Sequence, residues 1–360
     1  MTGRERLTAV LQKTRTDRLP WTTLVDNATL AGLPVDLQGN GGLHFYRHLG
    51  CDIFLLNGWN TPYSFRSPEL RWSPEVRVEH CSKGRTSTTT WHSPRGSLVA
   101  ARERSHPVKY PVDSLAGVRL YRSMWEGASY AAYDDSATLA ALDAAIGEDG
   151  VTTRFWGPST VPRLLEEDMG TQNFYYLLAD HPAEMDGLIR TIHEREREAY
   201  AALAGGPWSS VTLVENTSTF YISPQVYRAY NMPHQQEFVA AVQAAGKTAI
   251  LHMCGHVRLL LDLIKETGCD GIHALTPPPT GDTPWEEALR VIGEDLIIFG
   301  VLDPTIFAAG DVARIGPQLD AVITPRLRHA NFVLCPMADG IAVDLERFLA
   351  VKEWVERQRN

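Results

Sequence analysis

The chain has 360 residues, 44% of them hydrophobic and 21% charged, with a net charge of −9. That composition buries a sizeable core unaided and excludes collagen-like, disulfide-scaffold and disordered classes. No basic stripe tracks a phosphate backbone, which argues against nucleic acid as a partner, and no apolar run reaches the ~20 residues of a membrane span.

The opening Met1-Thr2-Gly3-Arg4-Glu5-Arg6 has no apolar segment behind it, so a cytoplasmic protein is expected. Thr2 and Glu5 have capping-box spacing, and Leu7, Val10 and Leu11 share a helical face. The helix they predict is expected to end at Asp17-Arg18-Leu19-Pro20. Short apolar runs follow at 53–56, 151–155, 211–214, 248–251, 271–275, 296–301 and 332–334. Their length and Val, Ile and Phe content suit buried parallel strands. Helical patterns at 181–204, 224–245, 256–267, 284–292 and 344–357 lie between them. About eight strand–helix units, with no Gly-x-Gly-x-x-Gly opening, predict an α/β fold: a single (β/α)8 TIM-type barrel in one domain, residues 1–360. One stretch, about 70–110, breaks the alternation and reads as two inserted antiparallel β-hairpins, which would either cover the barrel mouth or decorate the surface. The run Glu194-Arg195-Glu196-Arg197-Glu198 reads as a solvated helix face.

Five scattered cysteines in a reducing compartment suit free thiols or metal ligands better than bridges. The informative stretch is Lys247-Thr248-Ala249-Ile250-Leu251-His252-Met253-Cys254-Gly255. Residues two apart on a strand point the same way, so His252 and Cys254 project together from a strand's C-terminal end, where barrels do their chemistry. Imidazole and thiolate are good zinc ligands. Asn331-Phe332-Val333-Leu334-Cys335-Pro336 has the same shape, making Cys335 a candidate third ligand; the alternative is a buried structural thiol. A His/Cys/Cys set leaves one tetrahedral position open for catalysis. Other strand ends offer Glu215, a candidate ligand, orienting group or base; His273, a pocket or core residue; and Asp303, an outer-layer or helix-capping carboxylate. Cys51, Cys81 and Cys269 read as structural.

The chain resembles the uroporphyrinogen decarboxylase superfamily, and within it the zinc-dependent, corrinoid-linked methyltransferase branch. The resemblance rests on Arg4-Glu5-Arg6 through Asp17-Arg18-Leu19-Pro20, Trp91 to Leu98, Gly157-Pro158-Ser159-Thr160, Asp180-His181-Pro182, Ile222-Ser223-Pro224, His252-x-Cys254-Gly255 and Gly300-x-x-Asp303-Pro304. The decarboxylases proper carry Arg-Gln-Ala-Gly-Arg-Tyr near the N-terminus, where this chain has Trp21-Thr22-Thr23-Leu24-Val25-Asp26-Asn27-Ala28. Tetrapyrrole decarboxylation is therefore disfavoured. The branch binds zinc through His-x-Cys and a distant Cys in a Gly-Cys-Gly turn, where this chain has Met337-Ala338-Asp339-Gly340. Cys335 stands a few residues early, and Glu215 or His273 is a candidate substitute.

The resemblance implies methyl transfer between a small methylated donor and a corrinoid (cobalamin) carried on a partner protein. Zn2+ would activate an ether oxygen or a thiol. Demethylation of a methoxylated aromatic is slightly favoured, with Trp59, Trp156, Tyr175 and Tyr176 as candidate walls. The alternatives are a lyase or decarboxylase of a small carboxylic acid, or a barrel that binds a ligand without turnover. A homodimer stays open.

Overall fold

The computed structural model describes residues 1–337 and 340–358. Its strands are β1 (Ile53–Leu56), β2 (Glu69–Arg71), β3 (Arg77–Lys83), β4 (Thr86–Ser93), β5 (Gly96–Glu103), β6 (His106–Lys109), β7 (Ser129–Ala131), β8 (Gly150–Trp156), β9 (Ser210–Val214), β10 (Thr248–His252), β11 (Gly271–Leu275), β12 (Ile297–Leu302) and β13 (Phe332–Pro336). Seven of them form one parallel sheet in the order β1-β8-β9-β10-β11-β12-β13.

An eighth stave closes that sheet, and it is not one of the apolar runs. Trp21 bridges Leu334 of β13 in parallel. The Thr22 N–H donates to the Leu334 carbonyl, and the Leu334 N–H donates to that of Pro20. On the other side the Asp52 N–H, at the foot of β1, donates to the Trp21 carbonyl. The Phe54 N–H donates to Thr22 Oγ1. The expected (β/α)8 barrel is therefore present, with its first stave reduced to a few residues around Trp21.

Alternation along the strands decides what fills the barrel. Phe54, Leu56, Val151, Ile250, Ile297, Phe299 and Val333 form an interior cluster. Leu7 and Val10 join it from the helix Gly3–Leu11. That helix plugs the barrel's N-terminal end. Its capping box forms as expected, but it stops well before Pro20. Lys13 turns left-handed (φ 57°), and the Thr14 N–H reaches back to the Ala9 carbonyl, so a C-terminal cap ends the helix locally.

A second, larger cluster packs the outer helices on the sheet. In the helix Pro182–Gly205, Met185, Leu188, Ile189 and Ile192 recur at helical spacing and are buried. The charged run in this helix is not wholly solvated: Glu196 is fully buried and accepts from the N–H and hydroxyl of Thr160.

The insertion is a single antiparallel sheet, β3-β4-β5-β6, while β2 pairs with β7. Leu98 of β5 is buried in the outer core, and Gly96 sits against Leu120. The sheet therefore decorates the helix layer. Among the described residues no helix is long and apolar enough to cross a membrane.

Candidate active site at the barrel mouth

A cavity of 200 Å³ opens at the C-terminal ends of the barrel strands. Leu24, Leu56, Phe155 and Val214 form its apolar wall, with Trp59 and Met337 beside them. The polar members are Asp26, Asn216 and His252, and among the described residues no Lys or Arg lines it. Wider clefts of 500 and 540 Å³ lie at the opposite end, where ion pairs such as Arg6–Asp52 and Arg326–Glu294 occupy their walls. The mouth cavity is the one the strand ends build, and barrel chemistry belongs there.

His252 ends β10 and lines this cavity. Its Nδ1 stands 2.7 Å from Nδ1 of His273 on the neighbouring strand. Burial holds the His252 imidazole down to about 4 and pushes His273 well below its ordinary value, with His252 adding to the second effect. The two rings are a neutral pair at physiological pH, one donating and one accepting. His273 itself is buried among Phe54, Phe155 and Phe299. Of the two readings open from the sequence, it is the hydrogen-bonded core residue. A register shift follows it in β11, where Ala274 adopts a left-handed φ of 65°. Such a bulge re-aims side chains beside a site.

Asn216 lies just past β9 in a left-handed conformation (φ 43°), which Asn tolerates better than most residues. Its amide nitrogen donates to Glu166 Oε2 at 3.2 Å. Its Oδ1 accepts from the Cys254 thiol at 3.8 Å. Glu166 belongs to a π-helical turn, Leu164–Asp168, a distortion found mostly at functional sites. Burial raises its carboxyl above the usual range. A polar chain Glu166–Asn216–Cys254 thus edges the cavity. Sequence reasoning found Cys254 but neither partner; the Glu215-Asn216 strand end was the available signal for Asn216.

The expected metal set is not brought together. Cys335 is buried in β13, and burial pushes its thiol up to about 12. In the sheet register Cys335 lies opposite Val301 of β12. Among the described residues no three His, Cys, Asp or Glu side chains are placed to hold a metal ion. Ala338 and Asp339, in the turn compared with Gly-Cys-Gly, lie outside those residues.

Two other candidates serve the scaffold. Val214 faces the cavity, so alternation turns Glu215 outward, where it is fully buried and accepts from Gln235 Nε2 at 2.6 Å. Burial pushes its carboxyl up to about 7. Asp303 caps the helix Pro304–Phe307: Oδ1 accepts from the Thr305 N–H and Oδ2 from the Thr280 N–H. Of the aromatic candidates only Trp59 lines the cavity. Trp156 packs on Tyr130 and Tyr200, Tyr175 donates to the Tyr221 carbonyl, and Tyr176 is exposed.

The fold and site define an α/β-barrel protein with a small, mostly apolar site at the C-terminal mouth. Residues 142–346, more than half of the chain, match the model of the uroporphyrinogen decarboxylase (URO-D) family, and the chain belongs to that family. No curated protein matches it in sequence. Among solved structures, a methyltransferase from Methanosarcina mazei superposes with a TM-score of 0.61 at 14% identity, over 99% of each chain. A D-psicose 3-epimerase crystallised with D-fructose gives 0.35 at 12% identity, over 67% of this chain and 86% of that one. A 3-keto-D-glucoside 4-epimerase from E. coli gives 0.31 at 13%, over 70% and 96%. The first establishes the shared fold; the other two are too distant to support an argument.

Proposed function

We propose that the protein is a methyltransferase that takes a methyl group from a small donor in the mouth cavity and passes it to a corrinoid on a separate protein. The observation that carries this reading is the cavity itself: 200 Å³, mainly apolar, and among the described residues lined by no Lys or Arg. A site for a tetrapyrrole with several carboxylates needs more room and cations to hold them. A lyase or decarboxylase of a small acid needs a carboxylate anchor as well. The methyltransferase of Methanosarcina mazei shares this fold over its whole length, which agrees with the reading.

The apolar wall excludes water from the methyl carbon. His252 presents a neutral imidazole whose tautomer and orientation are fixed by His273. The Glu166–Asn216–Cys254 chain fixes the rim. The corrinoid would supply a low-valent cobalt nucleophile. The zinc implied by the resemblance finds no set of three donors among the described residues, and no step is drawn through it.

The test mixes the protein with cob(I)alamin and candidate methyl donors and follows the cobalt spectrum. Conversion to the methylcob(III)alamin spectrum is expected. Donor consumption with release of carbon dioxide, and no change at cobalt, would support the lyase instead.

A further inference from the structure

We propose that the mouth cavity is built for a cationic methyl donor, a small methylammonium compound, in preference to a neutral ether or a carboxylate. The inference rests on the methyltransferase reading for its chemistry, but the binding claim stands on the walls alone.

Among the described residues the cavity brings together the rings of Trp59 and Phe155 and the Asp26 carboxylate, with no Lys or Arg in its lining. Trp59 has spent its polar atom: its Nε1–H donates to the Val25 carbonyl at 2.9 Å. What the side chain offers the cavity is ring surface. The loop that carries it is held tightly. Asn57, Gly58 and Asn60 are all left-handed (φ 54°, 72° and 61°), and Asn60 Nδ2 donates to the same Val25 carbonyl at 2.8 Å. Three such residues around one tryptophan fix the position of its ring. Phe155 is fixed as well, edge-to-face against His252 at 5.3 Å and 89°. Asp26 supplies the negative charge. Its oxygens accept from the N–H groups of Thr29 and Gly340, so it cannot swing away. Aromatic faces beside a carboxylate attract a quaternary or protonated amine through cation–π and Coulomb attraction, most strongly where the contact is desolvated.

The chemistry agrees. When a quaternary ammonium gives its methyl carbon to a cobalt(I) nucleophile, the C–N bond breaks and its electron pair stays on nitrogen. The partner corrinoid's low-valent cobalt would supply the electron pair that takes up the methyl carbon. The amine leaves neutral and needs no proton from the site. A methyl ether would leave as an alkoxide or phenoxide, which does need a proton or a Lewis acid.

Calorimetric titration tests this with tetramethylammonium, choline, the neutral choline isostere 3,3-dimethyl-1-butanol, and trimethylacetate. Tetramethylammonium and choline should bind at least about tenfold more tightly than the isostere, and trimethylacetate should not bind. Trp59→Leu should weaken choline about tenfold or more and the isostere less than about threefold, while Trp59→Phe keeps part of the choline affinity. Equal or tighter binding of the isostere, equal losses of both ligands in Trp59→Leu, or no binding of any cation would overturn the proposal. Tight choline binding with no methyl reaching cobalt from any donor would leave this assignment standing and remove the methyltransferase reading.

Discussion

His252 and His273 place their Nδ1 atoms 2.7 Å apart across two adjacent strands, with one proton shared by two neutral rings. Replacing His273 by Phe keeps the bulk but leaves His252 without its partner. Methyl transfer should fall about ten- to a hundredfold, as when the outer partner of a working imidazole is lost. The pair also sets a pH dependence. Both imidazoles are held low in the folded protein, so between pH 6.5 and about 4 the unfolded chain binds protons that the folded chain does not. Stability from the pair is present above pH 6.5 and is lost as pH falls toward 4. Melting temperatures of the wild type and His273→Phe across that range should converge on acidification.

Glu215 predicts the opposite slope. Burial raises its folded pKa to about 7 from the ordinary 4.5, so the folded chain holds a proton that the unfolded chain releases. Stability is full below pH 4.5 and declines as pH rises to about 7, by an amount on the order of 3 kcal/mol. Glu215→Gln removes this titration. Urea unfolding at pH 5 and pH 8 should show the variant gaining on the wild type at the higher pH.

Cys335 and Cys254 should separate. Cys335→Ala leaves a small hole in a buried wall, with a stability loss of about 1 kcal/mol and methyl transfer within about twofold of wild type. Cys254→Ala cuts the thiol from the Asn216 chain and should lower turnover about tenfold or more. Initial rates and denaturant midpoints of both variants check this. Equal losses of turnover would return Cys335 to the site.

Asn216 tests its left-handed backbone against its side chain. Asn216→Gly keeps φ 43° without strain, whereas Asn216→Ala adds about 1 kcal/mol of backbone cost. Both remove the amide between Glu166 and Cys254. Turnover should fall alike in the two variants, while only the Ala variant melts early.

The strands from β8 onward and the larger helices were legible because short runs rich in Val, Ile, Leu or Phe between turns, and apolar residues at helical spacing, have few alternatives. The stave at Trp21 was not, because it is Thr-rich and is held by bonds to residues far along the chain. His252 was legible as a strand-end side chain on one face. For Glu215 the strand end offers a functional and a scaffold reading alike, and alternation from Val214 decides for the outward one. For Cys335 an apolar run ending in Cys reads the same for a ligand and for a buried wall residue, and in the fold the thiol is buried. Asp26, Asn216 and Glu166 carry no motif. Their roles arise from a cap, a left-handed turn and a π-helical turn that only the folded chain brings to one rim.

In the proposed reaction a methyl group leaves a donor held between Trp59, Phe155 and His252. Its most direct measurement is the fate of a 13C-methyl label, followed by NMR in a mixture of donor, cob(I)alamin and the wild-type protein or the double variant Trp59→Leu/His252→Ala. The account predicts a cobalt-bound 13C-methyl signal that grows with the wild type and is lost in the variant. Label that stays on the donor with the wild type, or reaches cobalt equally fast with the variant, would contradict it.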